Sequence, residues 1–155
     1  MNTLRRSFLK LAGGVGTLAA AAAAGLLRTG QVWASDWNKA GFESKAVADV
    51  LKALGATHLI ESRDIAITAP DIAENGAVVP VAVASKIPNT QSISIISEKN
   101  PFPLAATFEV SNGSEGYVST RIKMGQTSNV RAVVKADGKF YTTAKEVKVT
   151  VGGCG

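Results

Sequence analysis

The segment 129–151 reads NVRAVVKADGKFYTTAKEVKVTV and predicts two antiparallel strands joined by a tight turn. Asp137-Gly138 separates two strand-like runs, 129–135 and 139–151. A two-residue turn with positive φ matches the twist of a β-hairpin, so Asp-Gly between such runs is the strongest local signal in the chain. Whether the second run breaks near Ala144 stays open at this point.

Five further runs of strand-forming residues precede this hairpin, separated by turn residues. They are 65–69, 78–85, 92–96, 105–110 and 117–124. Seven such runs at a spacing of about 8 to 12 residues predict an all-β fold, an immunoglobulin-like antiparallel sandwich. Pro80 lacks a backbone N–H, so we expect its strand to be an edge strand or to be bulged there.

One helix is predicted before the strands, at about 42–54. Apolar residues recur there at three- and four-residue spacing from Ala46 to Leu54, and Gly55 supplies a stop. The apolar stripe is narrow. We therefore expect this helix to pack on the edge or end of the β domain.

The first residues carry the pattern of an export signal. Residues 5–10 read RRSFLK, a twin-arginine signature, and 11–27 is an uncharged run of mostly Ala, Gly and Leu. Small residues before Ser35 predict cleavage after Ala34. A membrane anchor is the alternative, but the run is weakly hydrophobic and close to the shortest length that spans a bilayer.

Cleavage at this site predicts three segments. They are the signal peptide 1–34, a β-sandwich domain 35–151 and a flexible carrier arm 152–155. The chain has 17 Lys plus Arg against 12 Asp plus Glu, and the signal removes four basic residues and no acidic one, which leaves a net charge near +1. A net charge this close to zero predicts no nucleic-acid partner. The signal predicts a periplasmic protein whose mature form has no membrane segment.

Most of the candidate reactive side chains have an ordinary structural interpretation. His58 is the only histidine, so it has no second histidine for a metal pair, and we expect it in a loop. Glu61, Asp64, Asp71 and Glu74 form a modest acidic cluster, which we interpret as solvated loop residues. The sequence thus predicts no catalytic residue, no metal site and no cofactor.

Cys154 is different, because it is the only cysteine and the second-last residue. Gly152, Gly153 and Gly155 surround it, and glycine leaves the backbone conformation almost unrestricted. Three residues beyond Val151 reach about 10 Å when extended. The end of the chain therefore has the composition of a short swinging arm with a nucleophile near its tip.

Several functions fit a thiol in this position. An intramolecular disulfide is excluded because no second cysteine exists, and lipidation motifs fit poorly. A thiol enzyme is disfavoured, since the chain has neither a Cys-x-x-Cys pair nor a Cys and His pairing. Three interpretations remain. The terminus has no role, or the protein is an immunoglobulin-like interaction module whose cysteine forms an intermolecular disulfide or senses redox state. The third is a covalent carrier that takes a group from one enzyme to another.

The end of the chain, VKVTV at 147–151 followed by GGCG at 152–155, resembles the carboxyl-terminal arm of the SoxY family. SoxY is the sulfur-carrier subunit of the bacterial Sox system of thiosulfate oxidation. The twin-arginine signal, the β-rich remainder and the segment ENGAVVPV at 74–81 are also similar to that family. Family members typically show two glycines after the cysteine, where this chain shows Gly155 alone.

The resemblance implies an immunoglobulin-like sandwich, a heterodimer with a SoxZ-like subunit, and thiosulfate attached to Cys154. A haem c sulfur transferase would load the thiol, a manganese thiosulfohydrolase would release sulfate, and a molybdenum and haem sulfane dehydrogenase would oxidise the remaining sulfur. The carrier itself would be no enzyme. An exposed terminal thiol has a pKa near 8.5, so we expect activation to come from the enzyme pockets.

Overall fold

The computed structural model describes residues 38–111 and 113–151. The segment 1–34 and the arm 152–155 predicted above lie outside the described residues. The helices are α1 (Lys39–Glu43) and α2 (Val47–Ala53). The strands are β1 (Leu59–Glu61), β2 (Ile65–Thr68), β3 (Ile72–Ala73), β4 (Val79–Ser85), β5 (Thr90–Ser97), β6 (Leu104–Glu109), β7 (Tyr117–Ile122), β8 (Ser128–Ala136) and β9 (Lys139–Val149).

The predicted hairpin is formed by β8 and β9. Their register runs from Ala136 opposite Lys139 to Ser128 opposite Val147 without a shift. Asp137 and Gly138 have φ values of 48° and 72°, the left-handed conformation of a turn whose twist matches the strands. The strand is continuous at Ala144, so the hairpin extends over nearly the whole of both runs.

The described strands form two sheets. The larger has the order β1-β9-β8-β5-β6, with β3 also paired to β9, and the smaller has the order β2-β4-β7. The predicted all-β immunoglobulin-like sandwich is confirmed, and the seven predicted runs correspond to β2 and to β4 through β9. The short strands β1 and β3 were not predicted, and both run parallel to β9.

The core lies between the two sheets. Val79, Val81 and Val83 of β4 are at most 1% exposed and belong to one apolar cluster with the inward side chains of the larger sheet. Those side chains are Ile93, Ile95, Val130, Ala132, Val134 and Val147. Because each fully buried apolar side chain of this size stabilises the fold by about 1.5–3 kcal/mol, this cluster is the main source of stability.

Pro80 lies in β4, which is the central strand of the smaller sheet. The neighbouring strand β2 pairs only with 82–85, so Pro80 pairs with Arg121 of β7 alone. The β4–β7 register passes Pro80 without a bulge. The strand is therefore not an edge strand, but one side of it is unpaired at the residue that cannot donate a hydrogen bond.

The predicted single helix is wrong in one respect, because the chain forms two short helices separated at 44–46. Ser44 has ψ 139° and Ala46 has ψ 142°, both extended. The Asn38 side chain joins the two helices, since its carbonyl oxygen accepts from Gly41 N (3.0 Å) and its amide donates to the Ala53 carbonyl (3.0 Å). The break is thus stabilised by a contact between the helices.

The helices pack on the outer face of the larger sheet rather than on its edge or end. Val50 is fully buried against Ile96, Leu104 and Val133. Val133 points away from the sandwich core, since its neighbours on β8 belong to the inner cluster. No helix among the described residues is long and apolar enough to cross a membrane.

Candidate functional site

The candidate site begins where β9 ends. Cys154, Gly152, Gly153 and Gly155 lie outside the described residues, and the structure describes the chain as far as Val151. The described part of the site therefore consists of residues 149–151 and the residues that hold them in place.

A parallel strand holds the end of β9 on one side. In β3, Ile72 lies opposite Lys148 and Ala73 opposite Val149. Lys148 N donates to the Asp71 carbonyl (3.0 Å), and Thr150 N donates to the Ala73 carbonyl (3.1 Å). The pairing thus continues past the last residue assigned to β9.

Two further hydrogen bonds extend this attachment to the last described residue. The Thr150 hydroxyl donates to the Glu74 carbonyl (2.9 Å), and Gly76 N donates to the Val151 carbonyl (2.7 Å). Backbone hydrogen bonds therefore hold the chain up to the residue before Gly152. Residues 152–155 therefore follow a residue whose backbone is fixed on the sandwich.

The segment that receives Val151 is itself tied to the core. The Asn75 side chain accepts from Ala77 N (2.9 Å), which closes a local turn, and the Gly76 carbonyl accepts from Met124 N (2.7 Å). Met124 is fully buried in the main apolar cluster. The turn therefore links the end of β9 to the centre of the molecule.

The Thr127 and Lys145 side chains make further contacts at this end of the sandwich. Val149 N donates to the Thr127 hydroxyl (3.0 Å). The Lys145 ammonium donates to the Ala69 carbonyl (2.6 Å) and pairs with the Asp71 carboxylate at 3.0 Å. Asp71 has 88% of its side chain exposed, so the ion pair itself contributes little stability.

The other candidate side chains lie elsewhere or have structural contacts. His58 is exposed in the loop before β1, where the sequence places it. Asp64 closes a turn with Ser62, whose hydroxyl accepts from Asp64 N (3.1 Å), and Glu74 is exposed. Among residues 38–111 and 113–151, no group of three or more His, Cys, Asp or Glu could hold a metal ion.

A polar cleft of about 470 Å³ lies beside the middle of β9, away from Val151. It is lined by Glu61, Ser62, Arg63, Arg131, Thr142, Thr143 and Ala144. Its most buried cation, Arg131, is neutralised by Glu98, with Nη2 and Nε at 2.7 and 2.8 Å from the same carboxylate oxygen. The arrangement is that of an internal ion pair rather than of an anion site.

Sequence reasoning missed the anchor of the site. A two-residue strand such as β3 is too short to show alternation, and parallel pairing leaves no turn signal between the partners. The one available signal is the segment ENGAVVPV at 74–81, which resembles the SoxY family but by itself indicates no contact with the end of β9. In the structure the first part of that segment, Glu74 and Gly76, holds Thr150 and Val151.

The profile of the family described as sulfur oxidation protein SoxY matches residues 50–154 of this chain. That span includes the sandwich strands, the anchor and Cys154. No curated protein sequence matches the chain.

Among solved structures, the sulfur carrier protein SoxY from Chlorobium limicola f thiosulfatophilum is 44% identical, with a TM-score of 0.60, over 66% of this chain and 93% of that chain. The PKD domain of an M14-like peptidase from Thermoplasmatales archaeon SCGC AB-540-F20 is 19% identical with a TM-score of 0.38, over 59% of this chain and 93% of its own. The human F-spondin reeler domain is 9% identical with a TM-score of 0.41, over 59% and 94%. Of these three structures, only the SoxY structure is similar enough to indicate a relationship.

Proposed function

Because this chain belongs to the SoxY family of sulfur oxidation proteins, we propose that it holds thiosulfate-derived sulfur covalently on Cys154 and presents it to the enzymes of thiosulfate oxidation. The family supports a carrier role in sulfur oxidation. The covalent attachment and the presentation to enzymes are the parts proposed here.

The observation that carries the proposal is the position of the lone thiol relative to the anchor. Val151 is the last described residue, and its carbonyl accepts from Gly76 N (2.7 Å). Cys154 follows three residues later in the sequence, after two glycines. A carrier needs a fixed body, a tether and a reactive sulfur. The chain supplies them in that order.

The chemistry assigns the carrier one role, that of nucleophile. The Cys154 thiolate and thiosulfate would join through a new S–S bond, and the two electrons released would leave one at a time through the haem c of the transferase to an external electron acceptor. Water then attacks the terminal sulfone, which leaves as sulfate with two protons, while the persulfide stays on the carrier. Both steps require groups that the enzymes supply, so the carrier is not itself an enzyme.

The proposal includes specific partners and a location. The partners are a SoxZ-like subunit, the haem c sulfur transferase, the manganese thiosulfohydrolase and the sulfane dehydrogenase, with thiosulfate as the substrate. The RRSFLK motif at 5–10 supports export to the periplasm by the twin-arginine pathway. One signal would then serve for the folded carrier and its bound subunit together.

Intact mass spectrometry tests the covalent role. The mature protein is purified from cells grown on thiosulfate, beside a Cys154→Ser variant from the same growth and a wild-type sample from cells grown without thiosulfate. We expect thiosulfonate or added sulfur on the wild-type carboxyl-terminal peptide and on neither control. An unmodified thiol, or a disulfide dimer alone, would favour the interaction module with a redox-sensing cysteine.

The pH dependence of alkylation tests whether the Cys154 thiol is activated only inside the enzyme pockets. No Lys, Arg or His lies in the last six residues, so the thiol should titrate near the reference pKa of about 8.5. The thiolate fraction, and with it the rate of reaction with iodoacetamide, should rise as the pH increases through that value. A midpoint well below 7 in the isolated protein would mean that the carrier activates its own thiol.

A further inference from the structure

Exposed apolar side chains surround the end of β9. Ile72 is 57% exposed, Val78 53% and Val151 64%. We call these three residues the β9-end patch. They are half of the six large apolar side chains that are exposed in the described part of the chain.

The β9-end patch is held in place by the anchor. Ile72 lies opposite Lys148 in the β3–β9 pair. Val151 is bonded through its carbonyl to Gly76, two residues before Val78, and Val78 N donates to the Asn75 carbonyl (3.4 Å). The three side chains thus come from backbone segments that are hydrogen-bonded to one another. Their backbone positions are therefore fixed relative to one another.

Two of the remaining exposed apolar residues lie elsewhere on the sandwich. Ile60 is paired with Tyr141 towards the hairpin end of β9, and Tyr117 is at the end of β7 that pairs with Ala84 rather than with Val79. Phe102 lies in the turn after β5, at the same end as Val151 but across the sheet. Ile60 and Tyr117 are therefore suitable controls.

The length of chain after Val151 decides what must approach the β9-end patch. Cys154 is three residues beyond Val151, a reach of at most about 10 Å. An enzyme that admits Cys154 into an active site must bring the mouth of that site within this distance of Val151. Ile72 and Val78 belong to the backbone segments that lie beside Val151 and therefore close to that mouth.

Charge around the β9-end patch indicates the chemistry of the rim of that mouth. Asp71 and Glu74 carry two negative charges, and Lys145, Lys148 and the exposed Lys123, which follows Ile122 opposite Val79, carry three positive charges, so the local net charge is only +1. Such a surface has little long-range field to steer a strongly charged partner. Recognition there would depend on apolar contact.

We propose that the β9-end patch is the docking surface for the enzymes that react with Cys154, and that it fits an apolar, largely uncharged rim around the active-site mouth. This inference rests on the proposed carrier function and adds the surface by which the enzymes recognise the carrier. A few well-packed side chains near the centre of an interface commonly provide most of its binding energy. The same surface would serve each enzyme in turn, because each must reach the same cysteine.

The test uses full-length carrier with the double substitution Ile72→Ser/Val78→Ser, beside the control Ile60→Ser/Tyr117→Ser. The probe is the haem c sulfur transferase purified from the same cells, with thiosulfate as substrate. We expect kcat/KM for loading to fall about tenfold or more in the patch variant and to stay near wild type in the control. The rate of alkylation by iodoacetamide, the circular dichroism spectrum and the urea midpoint should be unchanged.

The possible results distinguish a failure of the carrier function from a failure of the docking surface. Wild-type protein that is not loaded at all overturns the carrier function and the docking surface with it. Loading of the wild type with an unchanged kcat/KM in the patch variant, or an equal fall in the control, overturns the docking surface alone. A wild-type dimer that the patch variant converts to a normally loaded monomer would assign the surface to self-association and also overturn the proposal.

Discussion

The two ends of β9 are held by different kinds of contact. At its start, Asp137 and Gly138 turn the chain directly into the strand that pairs with it. At its other end, the Thr150 hydroxyl donates to Glu74, which lies 76 residues earlier in the chain. One end is held by its neighbours in sequence and the other by a distant segment.

This difference matters for a carrier. The turn end contributes to folding and is formed by local geometry, while the arm end sets the position from which Cys154 would operate. A change at the turn should therefore alter the stability of the whole sandwich. A change at the anchor should alter the terminal residues more than the fold, unless it reaches the core.

Met124→Ala should produce the largest effect, because it removes the buried side chain that links the anchor to the core. Met124 is fully buried, and its N–H donates to Gly76. Loss of a buried methionine typically lowers the free energy of unfolding by about 2–5 kcal/mol. Urea denaturation measures this change in the free energy of unfolding. Met124→Leu is the matched control, and an equal loss there would contradict a cavity as the cause.

Gly138→Ala should destabilise the turn end. Gly138 has φ 72°, and a Cβ added there would meet nothing within 4 Å, so backbone conformation alone sets the cost. A left-handed non-glycine residue costs about 1–2 kcal/mol, which a shift of the urea midpoint reports. Asp137→Asn should be tolerated because asparagine adopts the same conformation. A neutral Gly138→Ala would show that the turn is not a constraint.

Thr150→Val should affect the arm end with little effect on the fold. It removes the hydroxyl that bonds Glu74 and keeps the shape of the side chain. A hydrogen bond of this kind contributes about 0.5–1.5 kcal/mol, and Thr150 is exposed, so the lower value is expected. Amide exchange of Thr150 and Gly76 should quicken, while that of the β8–β9 hairpin stays slow. Thr150→Ser, which retains the hydroxyl, should exchange like wild type.

Ser97→Ala should have the smallest effect and lies at neither end of β9. The Ser97 hydroxyl is buried and has no hydrogen-bond partner among the described residues. Removing an unsatisfied hydroxyl should leave the free energy of unfolding unchanged or raise it by up to about 1 kcal/mol. Thermal and urea unfolding both measure this. Clear destabilisation would show that the hydroxyl has a partner such as a buried water.

The sequence predicted the strands that carry alternation and turn chemistry. All seven predicted runs are strands, and 137–138 is the predicted turn. It missed β1 and β3, since strands of three and two residues carry no usable period. It also predicted one helix where there are two, because the bonds of the Asn38 side chain to Gly41 and to Ala53 have no signature in the pattern of apolar residues.

For the candidate site, the sequence alone singled out Cys154, because it is the only cysteine and has glycine neighbours. Those are properties of a short segment and need no knowledge of the fold. The anchor could not be found in the same way. Ala73, Glu74 and Gly76 acquire their role only because β9 ends beside them.

The sequence by itself determined the class of fold, the central hairpin and the residue proposed to carry sulfur, because alternation, turn conformation and the presence of one thiol are set by neighbouring residues. Only the tertiary structure decided which distant segment holds the end of β9 and which apolar side chains stay exposed around Val151. Those features depend on parallel pairing between segments about 75 residues apart. Such pairing forms only when the sandwich has closed and brought the segments together.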